Sequence, residues 1–205
     1  MEDTRTKYER DVQDRSTLRY YLGLIVRWKQ HFKYARAVKI ARKNGATIGE
    51  GVTMPIALAK KVNHNVVIGD HVSILTTDFS SFRYPIKIGN NVIIGQDVRF
   101  TMGSHNIDSP DWEHCRPNES LVVEDYVWLC PKCTIMPSVK RIGYGAVVGA
   151  ASVVVKDVPE MSVVSGFPAK ELRKRKCVHS ALVVESLLGG DYITYRKTRN
   201  NKNER

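Results

Sequence analysis

The sequence repeats an aliphatic residue every six positions through much of its second half. The large members of this series, with a single step of seven, are Val123, Leu129, Ile135, Ile142, Val148 and Val154. A smaller residue stands four positions after each of them, at Val127, Cys133, Val139, Ala146, Ser152 and Val158. A strand repeats every two residues and a helix about every 3.6, so neither accounts for a sustained period of six. A coil of short flat strands joined by tight corners does, and the pattern predicts an all-β solenoid.

The same series extends towards the N-terminus in phase. Its large members there are Ile48, Met54, Ile68, Ile74, Ile88, Ile94 and Phe100. Glycine follows the large residue at Gly49, Gly69, Gly89, Gly95, Gly143 and Gly149. We expect a corner at each of these glycines, with a positive φ or a close approach of neighbouring backbone. Ordinary sandwich strands would not keep one phase across roughly a hundred residues, which favours the solenoid.

Charge divides the chain into three segments. Residues 1–44 hold 12 Lys or Arg and 5 Asp or Glu, a net +7; residues 45–170 hold 11 and 12, a net −1; residues 171–205 hold 9 and 4, a net +5. We therefore expect a basic N-terminal helical extension, a neutral β-helix domain and a short basic C-terminal extension. Basic ends suit nucleic acid, an anionic membrane or a phosphorylated ligand. Nothing in the sequence supplies the aromatic platform or recognition helix that reads nucleic acid, so we expect no nucleic-acid partner.

Targeting and cysteine patterns favour a cytoplasmic protein. The apolar run at 20–26 has seven residues and no small-residue cleavage site. It therefore predicts neither a secretory signal nor a membrane span. The four cysteines, Cys115, Cys130, Cys133 and Cys177, lack a second pair at zinc-ligand spacing. We interpret them as reduced structural thiols, which is typical of cytosolic proteins.

Residues 16–43 have a helical pattern, with apolar side chains at steps of three and four and Ser16 as a candidate N-cap. Residues 1–15 are polar, and we expect them to be loosely held. The amphipathic helix is predicted to cover the open end of the solenoid, because a terminal coil exposes backbone groups. Its aromatic and basic side chains also suit a helix lying on the inner membrane surface, and this alternative stays open.

The repeat stops between residues 103 and 120. This excursion reads Gly-Ser-His-Asn-Ile-Asp-Ser-Pro-Asp-Trp-Glu-His-Cys-Arg-Pro-Asn-Glu-Ser and contains His105 and His114. A long excursion from a regular scaffold is often where function lies, because the scaffold holds it rigidly. We therefore expect the functional site here.

The hexads, the excursion opening at His105, the pair Val127-Trp128 and the segments 149–159 and 165–170 resemble the hexapeptide-repeat acetyltransferases. Within that family the sequence is most similar to the maltose/galactoside and polysaccharide O-acetyltransferase branch, over about residues 45–175. The resemblance implies a left-handed parallel β-helix of triangular section that forms a homotrimer, with acetyl-CoA between two subunits. It also implies an O-acetyltransferase that acts on a sugar or polysaccharide precursor and requires no metal.

The resemblance also assigns site residues. His105 matches the catalytic histidine, which faces the pantetheine arm bound on the neighbouring subunit. Positions assigned to acetyl-CoA binding are Ala150, Ala151, Val155, Lys156, Lys170 and Arg173, and those assigned to acceptor binding are Asp78, Asp108 and Trp128. Small residues leave room for pantetheine, although a hexad corner favours small residues in any case. Lysine and arginine suit the phosphates of CoA.

Histidine suits the expected chemistry. A sugar hydroxyl is a weak nucleophile until a base removes its proton, and histidine is the side chain that titrates near working pH. His114, in the same excursion, is the rival base, and Asp78 or Asp108 could orient the imidazole. Backbone N–H groups near Cys130 are candidate oxyanion donors, although Pro131 has no N–H.

Other functions remain open. An acetyltransferase for an amino sugar or an antibiotic would have the same motifs. A zinc hydratase of the carbonic anhydrase kind shares the solenoid but needs a third histidine, and His105 and His114 stand nine residues apart without one at a matching corner. A non-catalytic β-helix subunit is a further possibility, opposed by the joint presence of His105, Lys156 and the segment ending at Pro168.

Overall fold

The computed structural model describes residues 4–79, 84–115 and 120–200. The strands are short, because each side of the repeat offers only a few residues before a corner. They are β1 Thr47–Ile48, β2 Val66–Ile68, β3 Ser73–Ile74, β4 Ile86–Ile88, β5 Ile93–Ile94, β6 Arg99–Phe100, β7 Ser104–His105, β8 His114–Cys115, β9 Leu121–Val123, β10 Trp128–Leu129, β11 Thr134–Ile135, β12 Arg141–Ile142, β13 Val147–Val148, β14 Val153–Val154, β15 Ser162–Gly166 and β16 Ala169–Lys174. The helices are α1 Lys7–Gln13, α2 Thr17–Lys43, α3 Ile56–Ala59 and α4 Tyr192–Asn200, with a 3₁₀ turn at Val184–Leu188.

The chain enters three sheets in rotation. The first sheet has the order β1-β2-β4-β9-β12, the second β3-β5-β10-β13-β15-β16 and the third β6-β11-β14. In each sheet a strand lies parallel to the strand from the previous pass, as Leu129 lies between Ile94 and Val148. Among the described strands, only the pairs β15–β16 and β7–β8 are antiparallel. The predicted parallel β architecture is confirmed.

Both six-residue series face the interior. None of the large or small members named above is more than 5% exposed, and Phe100, Leu129 and Val148 are fully buried. The residue before the large member faces outward in several strands, as Arg99 and Arg141 do. Each fully buried Ile or Leu contributes about 1.5–3 kcal/mol, so the repeat itself supplies the core.

The six glycines that follow a large residue meet one of the two expected conditions. None of them has a positive φ, and each lies close to a neighbouring pass of the chain. The left-handed residue comes two positions later, three after the large member. It is a glycine at Gly51 and Gly145; elsewhere, with φ between +55° and +63°, it is His71, Asn91, Asp97, Tyr126, Lys132 and Ala151, and Met161 takes the same conformation three residues after Val158.

Close approach explains the six glycines instead. A Cβ on Gly69 would lie 2.5 Å from Oδ1 of Asn90, and one on Gly89 would lie 2.8 Å from the backbone nitrogen of Asp125. These polar residues link successive passes, because Oδ1 of Asn90 accepts from the N–H of Asp70 at 2.8 Å and Oδ1 of Asp125 accepts from the N–H of Asn90 at 2.7 Å. Glycine has no Cβ, so it leaves room for these side chains and their hydrogen bonds between successive passes.

Helix α2 spans the segment predicted to be helical. Its C-terminal half packs on α3 and β1, with Ala37 and Ala41 fully buried. The Arg42 guanidinium donates to the carbonyl oxygen of Ile48 at 2.6 Å. Strand β1 is the edge of the first sheet, and this contact satisfies an acceptor that no further strand pairs. The helix therefore covers the first pass of the chain, as predicted.

The described N-terminal and C-terminal helices pack together, so the prediction of loosely held residues is wrong for 4–15; residues 1–3 lie outside the described residues. Helix α1 begins with a capping box between Thr6 and Glu9 and packs on α4. The fully buried Tyr195 of α4 stacks on Tyr20 with ring centroids 5.1 Å apart, and Arg27 lies 4.1 Å above the Tyr195 ring.

The C-terminal segment is also structured. Strand β16 continues past residue 170, the 3₁₀ turn follows, and α4 returns to the N-terminal helices. Across the described ranges, no helix combines the length and apolarity that crossing a bilayer requires.

Candidate active site

The predicted excursion forms a small hairpin where the chain leaves the third sheet after β6. Strands β7 and β8 pair antiparallel, with Ser104 opposite Cys115 and His105 opposite His114. The part of the excursion at 116–119 lies outside the described residues. The two histidines, nine positions apart in sequence, are therefore brought side by side by cross-strand pairing, which the hexad pattern alone does not predict.

His105 is exposed and has one ring nitrogen anchored. Its Nδ1 lies 2.5 Å from the carbonyl oxygen of Trp112. A carbonyl only accepts hydrogen bonds, so this contact selects the tautomer with the proton on Nδ1. In the neutral ring, Nε2 is then the nitrogen without a proton and the one that can act as a base.

His114, the rival base, has a matching arrangement. Its Nδ1 lies 2.8 Å from the carbonyl oxygen of Ser104, and its ring stacks on that of His105 with centroids 4.8 Å apart. Both side chains are exposed. The hairpin therefore presents two imidazoles of the same tautomer on one surface.

The group that anchors His105 is one that sequence reasoning missed. Asp78 and Asp108 were the candidates, but Asp78 forms an ion pair with Arg99 at 3.0 Å. Asp108 lies in the hairpin turn, where its N–H donates to Oδ1 of Asn106 at 3.0 Å. The anchor is a backbone carbonyl, and no residue type in the sequence marks such a group. Phe79 does bridge to Phe100, so Asp78 lies on the pass beneath β6, as expected.

The predicted oxyanion donors are wrong. The Cys130 N–H donates to the carbonyl of Val148 at 2.9 Å, and the Lys132 N–H donates to the carbonyl of Gln96 at 2.8 Å. Pro131, between them, has no N–H. These groups are committed to the parallel ladders and cannot also stabilise a tetrahedral intermediate.

Three of the residues assigned to acetyl-CoA gather at the corner between β13 and β14. Ala150 and Ala151 are exposed there, and Ala151 takes the left-handed conformation. The neighbouring Ser152 is buried and accepts from the N–H of Gly166 at 3.0 Å. Lys170 lies opposite Ser165 in the β15–β16 hairpin, next to this corner. The exposed small residues and the backbone of Lys170 therefore lie near one another.

The remaining assigned residues flank that corner. Val155 is half-buried, and its carbonyl accepts from Oγ of Ser138 at 2.7 Å. Lys156 and Arg173 are exposed. Close to Arg173, the Ser162 hydroxyl and then the Lys174 ammonium hold the pKa of Glu171 below its usual range. Glu171 thus stays anionic and already pairs with Lys174 at 3.3 Å.

Trp128 lies away from the hairpin. It faces outward from β10 in the second sheet and lines a cavity of about 220 Å³ together with Arg175, His179, Leu182 and Leu187. Within one chain the structure therefore does not bring Trp128 to His105. In the described part of the chain, no three His, Cys, Asp or Glu side chains come together as metal ligands.

No family model matches the chain, but curated proteins and solved structures are similar to parts of it. The galactoside O-acetyltransferase of Lactococcus lactis is 36% identical over 91 residues, which are 43% of this chain and 43% of that protein. A chloramphenicol acetyltransferase of Escherichia coli is 34% identical over 107 residues, which are 43% of this chain and 50% of that protein. The chain thus spans half or less of the length of these curated relatives.

A solved structure covers more of the molecule. The hexapeptide-repeat acetyltransferase of Vibrio cholerae complexed with acetyl-CoA is 25% identical, with a TM-score of 0.50 over 85% of this chain and 91% of that one. Together these likenesses confirm the predicted resemblance to the hexapeptide-repeat acetyltransferases. The galactoside O-acetyltransferases are among the proteins that it resembles.

Proposed function

We propose that the protein is an acetyl-CoA-dependent O-acetyltransferase with His105 as its general base. The observation that carries the proposal is the 2.5 Å contact between Nδ1 of His105 and the Trp112 carbonyl, on an exposed ring. This contact holds the ring in place and leaves Nε2 free to accept a proton. The likeness to the acetyl-CoA-bound Vibrio cholerae enzyme supports acetyl-CoA as the donor.

The reaction is a direct transfer. Nε2 of His105 takes the proton of an acceptor hydroxyl as its oxygen attacks the thioester carbonyl carbon. The carbon–sulfur bond then breaks, and the CoA thiolate leaves and takes the proton back from His105. No covalent enzyme intermediate is needed. A positioned base of this kind contributes typically about 10²–10⁴-fold to the rate.

The three sheets are proposed to wind as a left-handed β-helix, as in the family that the sequence resembles. The chain enters the sheets in a fixed rotation, which is the topology of a coil with three sides. Acetyl-CoA would lie along the corner at Ala150 and Ala151, with Lys156, Lys170 and Arg173 near its phosphates. Arginine and lysine are suited to phosphate by charge and hydrogen-bond geometry.

The site is proposed to be shared between subunits of a trimer. The hairpin leaves the third sheet after β6, whereas Ala150 and Ala151 precede β14, at the opposite edge of the same sheet and two strands away. His105 follows the C-terminal end of β6, whereas Ala150 and Ala151 precede the N-terminal end of β14, so the two groups are separated both across the sheet and along the strands. A neighbouring copy would bring His105 to the thioester directly.

An acceptor screen tests the activity. The purified chain is mixed with acetyl-CoA and, in separate reactions, a β-galactoside, maltose, an amino sugar and chloramphenicol, and free thiol release is followed. Release that depends on a hydroxyl acceptor supports the proposal. Transfer to the amine alone would favour the N-acetyltransferase alternative, and no release with any acceptor would favour a non-catalytic subunit.

Mixed assemblies test the shared site. His105→Ala and Lys156→Glu chains are each purified, mixed under conditions that exchange subunits, and assayed. Hybrid trimers regain part of the activity if one chain supplies the base and another the CoA contact. Full activity in a preparation that sedimentation shows to be monomeric would refute a site shared between subunits.

A further inference from the structure

The N-terminal half of α2 carries an apolar surface that nothing in the described chain covers. Seven large hydrophobic side chains between residues 18 and 32 are 49–70% exposed: Leu18, Tyr21, Leu22, Ile25, Val26, Trp28 and Phe32. The described chain exposes 17 such side chains, so these 15 residues hold seven of the 17. Trp28 and Phe32 also stack edge to face, with centroids 5.0 Å apart. We call this set the outward patch.

The outward patch is separate from the side of α2 that packs against the rest of the protein. The opposite side of the helix is occupied, since Tyr20 packs on Tyr195 and Arg27 pairs with the buried Asp191 at 2.9 Å. The helix therefore has one apolar side turned to the protein and another turned away from it. Contiguous exposed apolar surface of this extent marks an interaction site.

Charge identifies what covers the patch. Residues 17–43 hold eight Lys or Arg and no Asp or Glu. Lys29, Lys33, Arg36 and Lys39 are all exposed and continue from the patch towards the C-terminal end of the helix. The free surface of α2 is thus mainly apolar in its first half, where Arg19 and Lys29 are also exposed, and cationic in its second.

This distribution opposes pairing of α2 with a second copy. A parallel pair would bring the two cationic halves together without an acidic residue on either helix. An antiparallel pair would place the cationic half of one helix on the apolar half of the other. Both arrangements desolvate charge without a partner, which is costly.

We propose that the outward patch docks on an anionic phospholipid surface, with α2 lying in the interface plane. Aromatic and aliphatic side chains enter the boundary between headgroups and acyl chains, and the basic side chains contact lipid phosphates. The active site is on the sheets, so docking would hold the body at the membrane without using any residue of the proposed mechanism.

Vesicle co-sedimentation of the full chain tests the proposal. With vesicles of 30% phosphatidylglycerol in phosphatidylcholine, we expect binding at 50 mM NaCl that falls on the order of tenfold at 500 mM, because salt screens the cationic half. Pure phosphatidylcholine vesicles should bind at least about tenfold more weakly. Failure to bind anionic vesicles at 50 mM NaCl would overturn the proposal.

Matched variants locate the contact. Leu22→Ser/Ile25→Ser removes exposed apolar bulk, and we expect vesicle binding to fall on the order of tenfold or more. Ile193→Ser, at a 49% exposed position on α4, is the control and should bind normally. Lys29→Glu/Lys33→Glu should lose binding on a similar scale, whereas Lys60→Glu/Lys61→Glu, at exposed positions just after α3, should not. Equal binding by Leu22→Ser/Ile25→Ser and Ile193→Ser would refute the contact.

Tryptophan emission gives a readout that a stability change would not imitate. In a Trp112→Phe/Trp128→Phe background Trp28 is the one remaining tryptophan, because the chain has three. Its emission should shift to the blue and resist acrylamide on addition of anionic vesicles. If sedimentation instead shows that Leu22→Ser/Ile25→Ser changes the oligomeric state while vesicle binding is kept, the patch is covered by another copy and the lipid proposal fails.

Discussion

The body of three sheets and the hairpin at residues 104–115 differ in what holds them in place. In the body, the inward side chains are at most 5% exposed, and successive passes are joined in register. In the hairpin, His105 and His114 are exposed and are held by two backbone carbonyls. The body therefore owes its stability to burial, whereas the hairpin owes its geometry to hydrogen bonds.

The difference separates stability from chemistry along the chain. A substitution in the body removes buried area and should lower the free energy of unfolding without touching a reacting group. A substitution of an exposed hairpin side chain should change turnover and leave unfolding almost unaffected. Four experiments test this separation.

The largest effect is expected for His105→Ala. Loss of the base should lower turnover on the order of 10²–10⁴-fold, with acetyl-CoA affinity and the unfolding midpoint nearly unchanged, because the side chain is exposed. Steady-state kinetics and urea unfolding measure the two quantities. His64→Ala, at an exposed corner outside the site, is the control. If His114→Ala loses turnover and His105→Ala does not, the roles of the two histidines are reversed.

The next effect concerns the reactivity of thiols. Burial raises the pKa of Cys133 to about 12, whereas Cys177 is exposed. At pH 8 roughly one part in 10⁴ of the Cys133 thiol is ionised, and only the thiolate is alkylated. Peptide mapping after iodoacetamide treatment should show Cys133 labelled on the order of 10³-fold more slowly than Cys177. The difference should vanish in urea, and fast labelling of native Cys133 would mean that the body opens.

A third experiment compares two neighbours in β4. Ile88 is 1% exposed and faces the interior, while Lys87 faces outward. Ile88→Ala should cost about 2–5 kcal/mol of unfolding free energy, from lost burial and the cavity left behind. Lys87→Ala should stay within about 0.5 kcal/mol. Similar costs for the two variants would contradict the inward orientation of the repeat.

The smallest effect is expected at a corner. Lys132 is exposed and has a φ of +63°, a conformation that costs an L-residue about 1–2 kcal/mol. Lys132→Gly should therefore raise the unfolding free energy by about 0.5–1 kcal/mol after the entropy cost of glycine. Lys132→Ala removes the same side chain without relieving φ, so it should give no gain. A gain of equal size in both variants would assign the effect to charge.

The sequence by itself determined the body. A six-residue period specifies which side chains face inward, and every member that it marks is buried in the structure. The prediction succeeds because the burial pattern is local and the same inward and outward positions recur in every pass of the chain. The helical segment at 16–43 was also predictable, because its apolar residues recur at steps of three and four within a short stretch of sequence. The candidate base was found because His105 opens the one long break in the period.

Two kinds of contact were decided only by the tertiary structure. One is made by backbone groups, which no residue type marks, and the other joins segments that are far apart in sequence. The Trp112 carbonyl that anchors His105 is backbone, and the ladder hydrogen bonds that occupy Cys130 and Lys132 depend on neighbouring passes. The packing of α4 on the N-terminal helices joins residues far apart in sequence, such as Tyr195 and Tyr20, which are 175 positions apart. Such contacts depend on where the chain returns in space, and a one-dimensional period records only which side of the coil each residue faces.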